Sequence, residues 1–275
     1  MLYRISFIIL IAFSCISCQK EKSAIVESGF TKYDIFPIIG QSNAYFGRET
    51  GSQPANTDSR IKQLGRFGDN SYKIIPAKDP LEHFTIVQGR ISFAMTFAHY
   101  YLREYLQPER GVLLIPGALE GSSFTGSQWR KGDSLYNDIV RRVKYVLEKY
   151  PGSEVKAFLW HQGESDIMWG RYYAELLDKM ITDMRMEIAG TKGDSIPFIL
   201  GGLVPYWVDQ QSNRKTTDSV IAETSKRLPF IGYANAREPF IIKKTDDTVD
   251  EIHFNASGQR ELGKRYFKAY KETRK

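Results

Sequence analysis

The chain has 275 residues, 42% of them hydrophobic and 25% charged, enough to bury a full core as one large α/β domain or two small ones. Its net charge of +6 is spread through interleaved Lys, Arg, Asp and Glu, and the densest basic run, the tail GKRYFKAYKETRK, reads as a solvated helix face rather than a nucleic-acid surface. The sequence carries no phosphate-binding Gly-rich loop, zinc-type Cys spacing or RNA-binding aromatic signature, so no cofactor, metal or nucleic acid is expected.

At the N-terminus, MLYRISFIILIAFSCISCQKEKS sets Arg4 ahead of an apolar run from Ile5 to Phe13, followed by small residues. Such a segment is a secretory leader, too short to span a bilayer comfortably. Both cysteines, Cys15 and Cys18, lie within it, which leaves none to pair inside the mature domain. The segment resembles a bacterial lipoprotein signal, in which cleavage precedes a Cys that then carries lipid. That resemblance implies a leader over 1–17, lipidation of Cys18 and a polar tether over 18–31. Several acyl chains would anchor the protein to a periplasmic or cell-surface membrane, each buried CH₂ contributing about 0.8 kcal/mol. Cys15 stands where such signals usually carry Leu, and plain secretion is the alternative.

Beyond the tether, short apolar runs alternate with amphipathic stretches. Strands are expected at Tyr33–Ile39, Val112–Ile115, Val155–His161, Phe198–Val204 and Phe230–Tyr233, each nearly continuous in apolar residues, as in a parallel sheet covered on both faces. Helical spacing runs through 91–106, 135–150, 171–190, 216–228 and 256–272, and the third of these stretches ends at Gly190. The alternation predicts an α/β fold, a three-layer α/β/α sandwich with a five-stranded parallel sheet and right-handed crossovers. Residues 48–88, rich in Gly, Asn, Asp and Pro, make a connection long enough to serve function or to hold local structure. A single domain over 32–275 accounts for the whole pattern.

Ligands of an open parallel sheet bind beyond the carboxyl ends of its strands. There the chain carries Gly40-Gln41-Ser42-Asn43 after the first expected strand, PGALEGSSF after the second and HQGESD after the third, with DEIHFNASG ahead of the last helix. Four small, polar clusters on one rim point to chemistry. A serine hydroxyl is a weak nucleophile without an adjacent base, and the base needs a third group to fix its tautomer. Ser42 follows the first strand. Of the four histidines, His83, His99, His161 and His253, the last comes three residues after Asp250, so a turn can fold that carboxylate onto its own imidazole. His161, Glu164 and Asp166 lack the second His expected of a metal site, and His83 and His99 read as packing residues. Trp129, Trp160, Trp169 and Trp207 are core or rim residues, with Trp129 the candidate to stack on a sugar ring.

Together, GQSN, EGSSF with Trp129 beyond it, WHQGESD and DEIHFNASG resemble the ordered blocks of the SGNH hydrolase superfamily, in its sialate O-acetylesterase-like and carbohydrate esterase family six branch. The resemblance spans nearly the whole mature chain. It implies a flavodoxin-like fold, a Ser-His-Asp set and removal of acetyl groups from carbohydrate without metal. Ser42 would be the nucleophile, His253 the general base and Asp250 its orienting partner. The implied oxyanion hole takes the backbone N–H of Ser42, that of Gly121 and the side-chain amide of Gln162, each fixed donor worth roughly 3–4 kcal/mol in the transition state. Glu120 stands where the family usually has the first glycine of a pair, and Gly89, which opens a helix just beyond the long connection, is the fallback for the second donor. Gln41 and Asn43 are expected to anchor the nucleophile turn through their amides, and Glu164 to support the site. The resulting expectation is an exported serine esterase that removes O-acetyl groups from sialic acid or a plant or host polysaccharide through an acetyl-enzyme. Its partners would be the acetylated carbohydrate and, through lipid on Cys18, a membrane. A lipase or thioesterase of the same fold, and a glycan-binding lipoprotein without catalysis, are the alternatives.

Overall fold

The run Tyr33–Gly40 forms strand β1, and all of its residues are buried. The computed structural model describes residues 29–47, 58–190 and 195–274; the leader, Cys18 and the tether as far as Ser28 lie outside them. The remaining strands are β2 (Ile61–Leu64), β3 (Ile74–Pro76), β4 (Gly111–Pro116), β5 (Glu154–Val155), β6 (Phe158–His161), β7 (Phe198–Gly201) and β8 (Ile231–Ala234). They build one sheet in the order β3-β2-β4-β1-β6-β7-β8, with β5 beside β1. All pairings are parallel except β2 with β3.

The eight strands correct the expected five, for two physical reasons. The third expected strand breaks at Lys156 and Ala157: Lys156 N–H donates to Ile35 O of β1 at 3.0 Å, Phe158 N–H donates to Pro197 O beside β7 at 2.9 Å, and β6 then pairs with both β1 and β7. The other two strands lie within the long connection, where Ile61-Lys62-Gln63-Leu64 is too short and mixed to show a period of two. Its neighbour β3 is a three-residue edge strand ending in Pro76, a residue tolerated there because the edge needs no further donor.

Among the described residues six α-helices complete the fold: α1 (Phe93–Glu104), α2 (Ser134–Lys149), α3 (Tyr173–Ala189), the short α4 (Pro205–Val208), α5 (Ser212–Ala222) and α6 (Ala256–Glu272). Local capping sets two of their starts. Ser92 accepts from Ala94 N–H at 3.2 Å ahead of α1, and Asn255 accepts from Gly258 N–H at 2.7 Å ahead of α6, satisfying donors that lack intrahelical partners. Side chains of β1 alternate between two helical layers. Phe36 meets Phe97 and Tyr101 of α1 and Tyr270 of α6, whereas Tyr33 meets Tyr150 at the end of α2. Helices therefore cover both faces, and the buried apolar residues form a continuous core through the sheet.

The connectivity also locates a crevice. From β1 the chain moves to one side through β2, β3 and β4, then crosses to the other through β6, β7 and β8. The reversal falls at the carboxyl end of β1, where open α/β sheets place their ligands.

Candidate active site

Gly40 closes β1 with φ of +123°, and a Cβ built there would lie 2.0 Å from the carbonyl oxygen of His161. Only glycine lets β1 and β6 approach so closely. Gln41 N–H then donates to His161 O at 2.9 Å, and the 3₁₀ turn Ser42–Ala44 follows. Ser42 is 3% exposed. Its Oγ lies 2.8 Å from Nε2 of His253, across more than two hundred residues of chain.

His253 is set by its own turn. Asp250 accepts from the His253 backbone N–H at 3.2 Å, and its carboxylate sits 2.9 and 3.0 Å from the ring Nδ1. On one face of the imidazole lies the Phe46 ring, with centroids 3.9 Å apart. The Arg90 guanidinium covers Phe46 at 3.4 Å. The arrangement can move a proton from a serine hydroxyl to an imidazole while a carboxylate fixes the ring.

Asn43 ties these pieces together. Its Nδ2 donates to Glu164 at 2.7 Å and to Ile252 O at 2.8 Å, while its Oδ1 accepts from Phe254 N–H at 3.2 Å. The residues on both sides of His253 are thus bonded to the residue after Ser42. Gln41 anchors the other flank: its Oε1 accepts from Ser165 N–H at 3.2 Å, with a longer contact from Gly163 N–H at 3.5 Å. Gln259, which the sequence reading missed, donates to Asn43 O at 3.0 Å and Phe46 O at 2.6 Å and accepts from Phe93 N–H at 2.9 Å. Its signal in the sequence was a lone polar residue at helical spacing with Leu262, Gly263 and Tyr266, the stripe that forms the buried face of α6.

Glu164 is nearly buried, and burial pushes its carboxyl up to about 7 against the opposing pull of the Asn43 amide. Its Oε2 has no hydrogen-bond partner, as suits a carboxyl that keeps its proton. His161 does not converge with Glu164 and Asp166: its Nδ1 faces the Tyr266 hydroxyl at 3.1 Å, and burial lowers it to about 3. His83 is likewise buried and lowered to about 3, with its Nδ1 accepting from Ala118 N–H at 3.1 Å. The described residues contain no group of three His, Cys, Asp or Glu that could hold a metal ion.

Two expected roles change. The Gln162 amide is not aimed at a free site: Nε2 donates to Asp166 at 2.8 Å and to Ser122 O at 3.3 Å, and Oε1 accepts from the Tyr173 hydroxyl at 2.7 Å. In this geometry it braces the loop after β4 instead of offering an oxyanion donor. Trp129 is fully buried and donates through Nε1 to Ser122 Oγ at 2.9 Å, so it supports the site and cannot stack on a sugar. Ser122 in turn donates to Gly40 O at 3.0 Å. Gly121, exposed with φ of +66°, occupies the third position of the turn closed by Ser122 N–H to Leu119 O at 3.2 Å, a position that favours glycine. Next to it Glu120 faces Tyr45, whose hydroxyl is pushed up to about 12 by burial and by that carboxylate. Gly89, the fallback donor, is an exposed glycine in the connection ahead of α1.

Residues 32–272 match the family described as carbohydrate esterase, sialic acid-specific acetylesterase. The chain belongs to that family. It is a carboxylic ester hydrolase of the carbohydrate acetylesterase type. A probable carbohydrate esterase of Arabidopsis thaliana is 26% identical over 207 residues, covering 70% of this chain and 69% of that protein. A probable 9-O-acetyl-N-acetylneuraminic acid deacetylase of Escherichia coli is 25% identical over 223 residues, covering 64% of this chain and 68% of that one. Among solved structures, NanS superposes with a TM-score of 0.75 at 18% identity over 90% of this esterase and 98% of NanS. The fold is shared as well by a Xanthomonas citri carbohydrate acetylesterase, with a TM-score of 0.63 at 17% identity over 87% of this chain and 56% of that one.

Proposed function

We propose that the esterase removes O-acetyl groups from a carbohydrate through an acetyl-enzyme on Ser42. The observation that carries this reading is the unbroken line from Ser42 Oγ to His253 Nε2 at 2.8 Å and from His253 Nδ1 to Asp250 at 2.9 Å. Ser42 Oγ attacks the acetyl carbonyl carbon and passes its proton to Nε2. Asp250 holds the Nδ1–H tautomer and stabilises the imidazolium that forms. The negative oxygen of the tetrahedral intermediate is met by the backbone N–H groups of Ser42 and Gly121. The C–O bond to the sugar breaks, and the imidazolium returns its proton to the departing alkoxide. Water then attacks the acetyl-enzyme, giving a proton to His253, and acetate leaves as Ser42 recovers its hydroxyl.

The sialate-directed description of the family and the deacetylase name of the Escherichia coli relative support an acetylated sugar as substrate, with sialic acid and acetylated polysaccharides as the candidates. The expected result is that Ser42→Ala lowers kcat for both nitrophenyl acetate and an acetylated sugar by about 10⁴-fold or more. Retention of activity by that variant would end the mechanism. The leader sequence supports export with a lipid on Cys18. Detergent-phase partitioning of the full-length protein, abolished by Cys18→Ser, is the expected outcome; an unchanged partition would remove the anchor.

A further inference from the structure

Three of the four tryptophans are accounted for by the core: Trp129 and Trp160 are fully buried and Trp207 is 6% exposed. Trp169 packs against the edge of the core and stays partly exposed. It lies on the 3₁₀ segment Glu164–Tyr172 beside Met168 and Tyr172, which are 66% and 47% exposed. Its indole is fixed in place. Nε1–H donates to Thr125 Oγ1 at 2.9 Å, Thr125 Oγ1 bonds the Asp166 carboxylate at 2.8 Å, and the Tyr172 ring packs against the indole at 5.5 Å.

The position of this patch follows from its attachments. Ser165, whose N–H holds Gln41 beside Ser42, is four residues before Trp169, so their Cα atoms are at most about 15 Å apart. Thr125 is four residues after Gly121 on the loop following β4. The patch is therefore tied to both loops that flank Ser42, the one after β4 through Thr125 and the one after β6 through Ser165 and Asp166. An exposed cluster of large apolar side chains marks a binding surface. An indole whose polar atom is already bonded presents its π-face at little cost in conformational freedom, and that face matches the C–H-lined face of a pyranose ring.

We infer that Met168, Trp169 and Tyr172 form a subsite for the sugar ring neighbouring the acetylated one, so that the substrate is an acetylated oligosaccharide or polysaccharide rather than a free monosaccharide. This rests on the reading of the site as a carbohydrate O-acetylesterase.

The test compares kcat/KM on O-acetylated xylotriose and O-acetylated sialyllactose with that on the acetylated methyl glycoside of each acetylated sugar, with nitrophenyl acetate alongside. At least one trisaccharide is expected to exceed its monosaccharide by about tenfold, equivalent to about 1.4 kcal/mol. Trp169→Ala should erase that ratio through KM, and Trp169→Phe should keep most of it. If Trp169→Ala does not fold, as judged by its melting curve, Met168→Ala and Tyr172→Ala decide in its place. Equal kcat/KM on both substrate lengths, or a length preference that these variants leave intact, overturns the subsite while the esterase reading stands. Hydrolysis of nitrophenyl acetate with none of any sugar acetate overturns the carbohydrate reading, and the subsite with it.

Discussion

At the scale of single residues, Glu164 is the group whose chemistry reaches furthest beyond its own contacts. It holds Asn43, and Asn43 holds the backbone on both sides of His253. In the unfolded chain its carboxyl ionises near the ordinary 4.5, whereas in the fold burial keeps the proton on until about 7. Between those values the folded state binds more protons than the unfolded one, so stability falls as pH rises through that window. At about 1.4 kcal/mol per pH unit of displacement, the loss between pH 5 and 8 is about 2–3 kcal/mol. Glu164→Gln keeps an oxygen for the Asn43 amide and carries no charge. Urea unfolding at pH 5 and 8 should show the variant lacking this part of the pH dependence. Identical pH dependence in both proteins would place the charge of Glu164 in solvent and undo the argument.

At the scale of elements, the end of β1 combines two constraints in one glycine. Gly40 has φ of +123°, and its virtual Cβ meets backbone atoms of His161, which no rotamer change can relieve. Gly40→Ala must push β1 from β6 and carry Ser42 with it. A displacement near 1 Å in a catalytic group costs about 10²-fold in rate, and the strain itself costs about 1–3 kcal/mol. Gly132 separates the two effects, because its φ is +96° and its virtual Cβ meets open space. Gly132→Ala should lower the melting temperature modestly and leave kcat on nitrophenyl acetate intact, whereas Gly40→Ala should lower both; equal kcat for the two variants would refute the geometric account. The elements themselves were legible wherever they are long and one-sided: α2 and α6 begin and end within a residue of where their apolar spacing places them. Helix α5 begins four residues earlier than its apolar spacing suggested, because Ser212 to Lys215 supply turns without an apolar face.

Across the whole molecule, the proposed catalytic line and a buried ion pair lie at opposite ends of the sheet. What the sequence showed of the candidate site was its local part, a strand-end Ser and an Asp three residues before a His. It could not show which amide faces a free site and which braces a loop. Gln162 and Trp129 depend on Asp166, Ser122 and Tyr173, contacts made when separate loops pack together. At the far end, the amino terminus of β1, Asp34 accepts from Arg110 Nε at 2.7 Å and from the Tyr101 hydroxyl at 2.6 Å. Arg110 also donates to Gly152 O at 2.9 Å and Tyr33 O at 2.9 Å. One buried ion pair thus joins α1 to the starts of β1 and β4 and to the turn before β5. Removing one partner of such a pair leaves an uncompensated buried charge, at a cost of about 3–5 kcal/mol. Asp34→Ala should therefore lower the melting temperature by roughly 10 °C. The proposed catalytic line sits beyond the opposite strand ends, and kcat/KM measured well below the melting point should match the parent enzyme. A variant that melts normally would remove the stabilising role of the pair, and one that stays folded yet loses activity would show that the two ends are not separate in the way the topology requires.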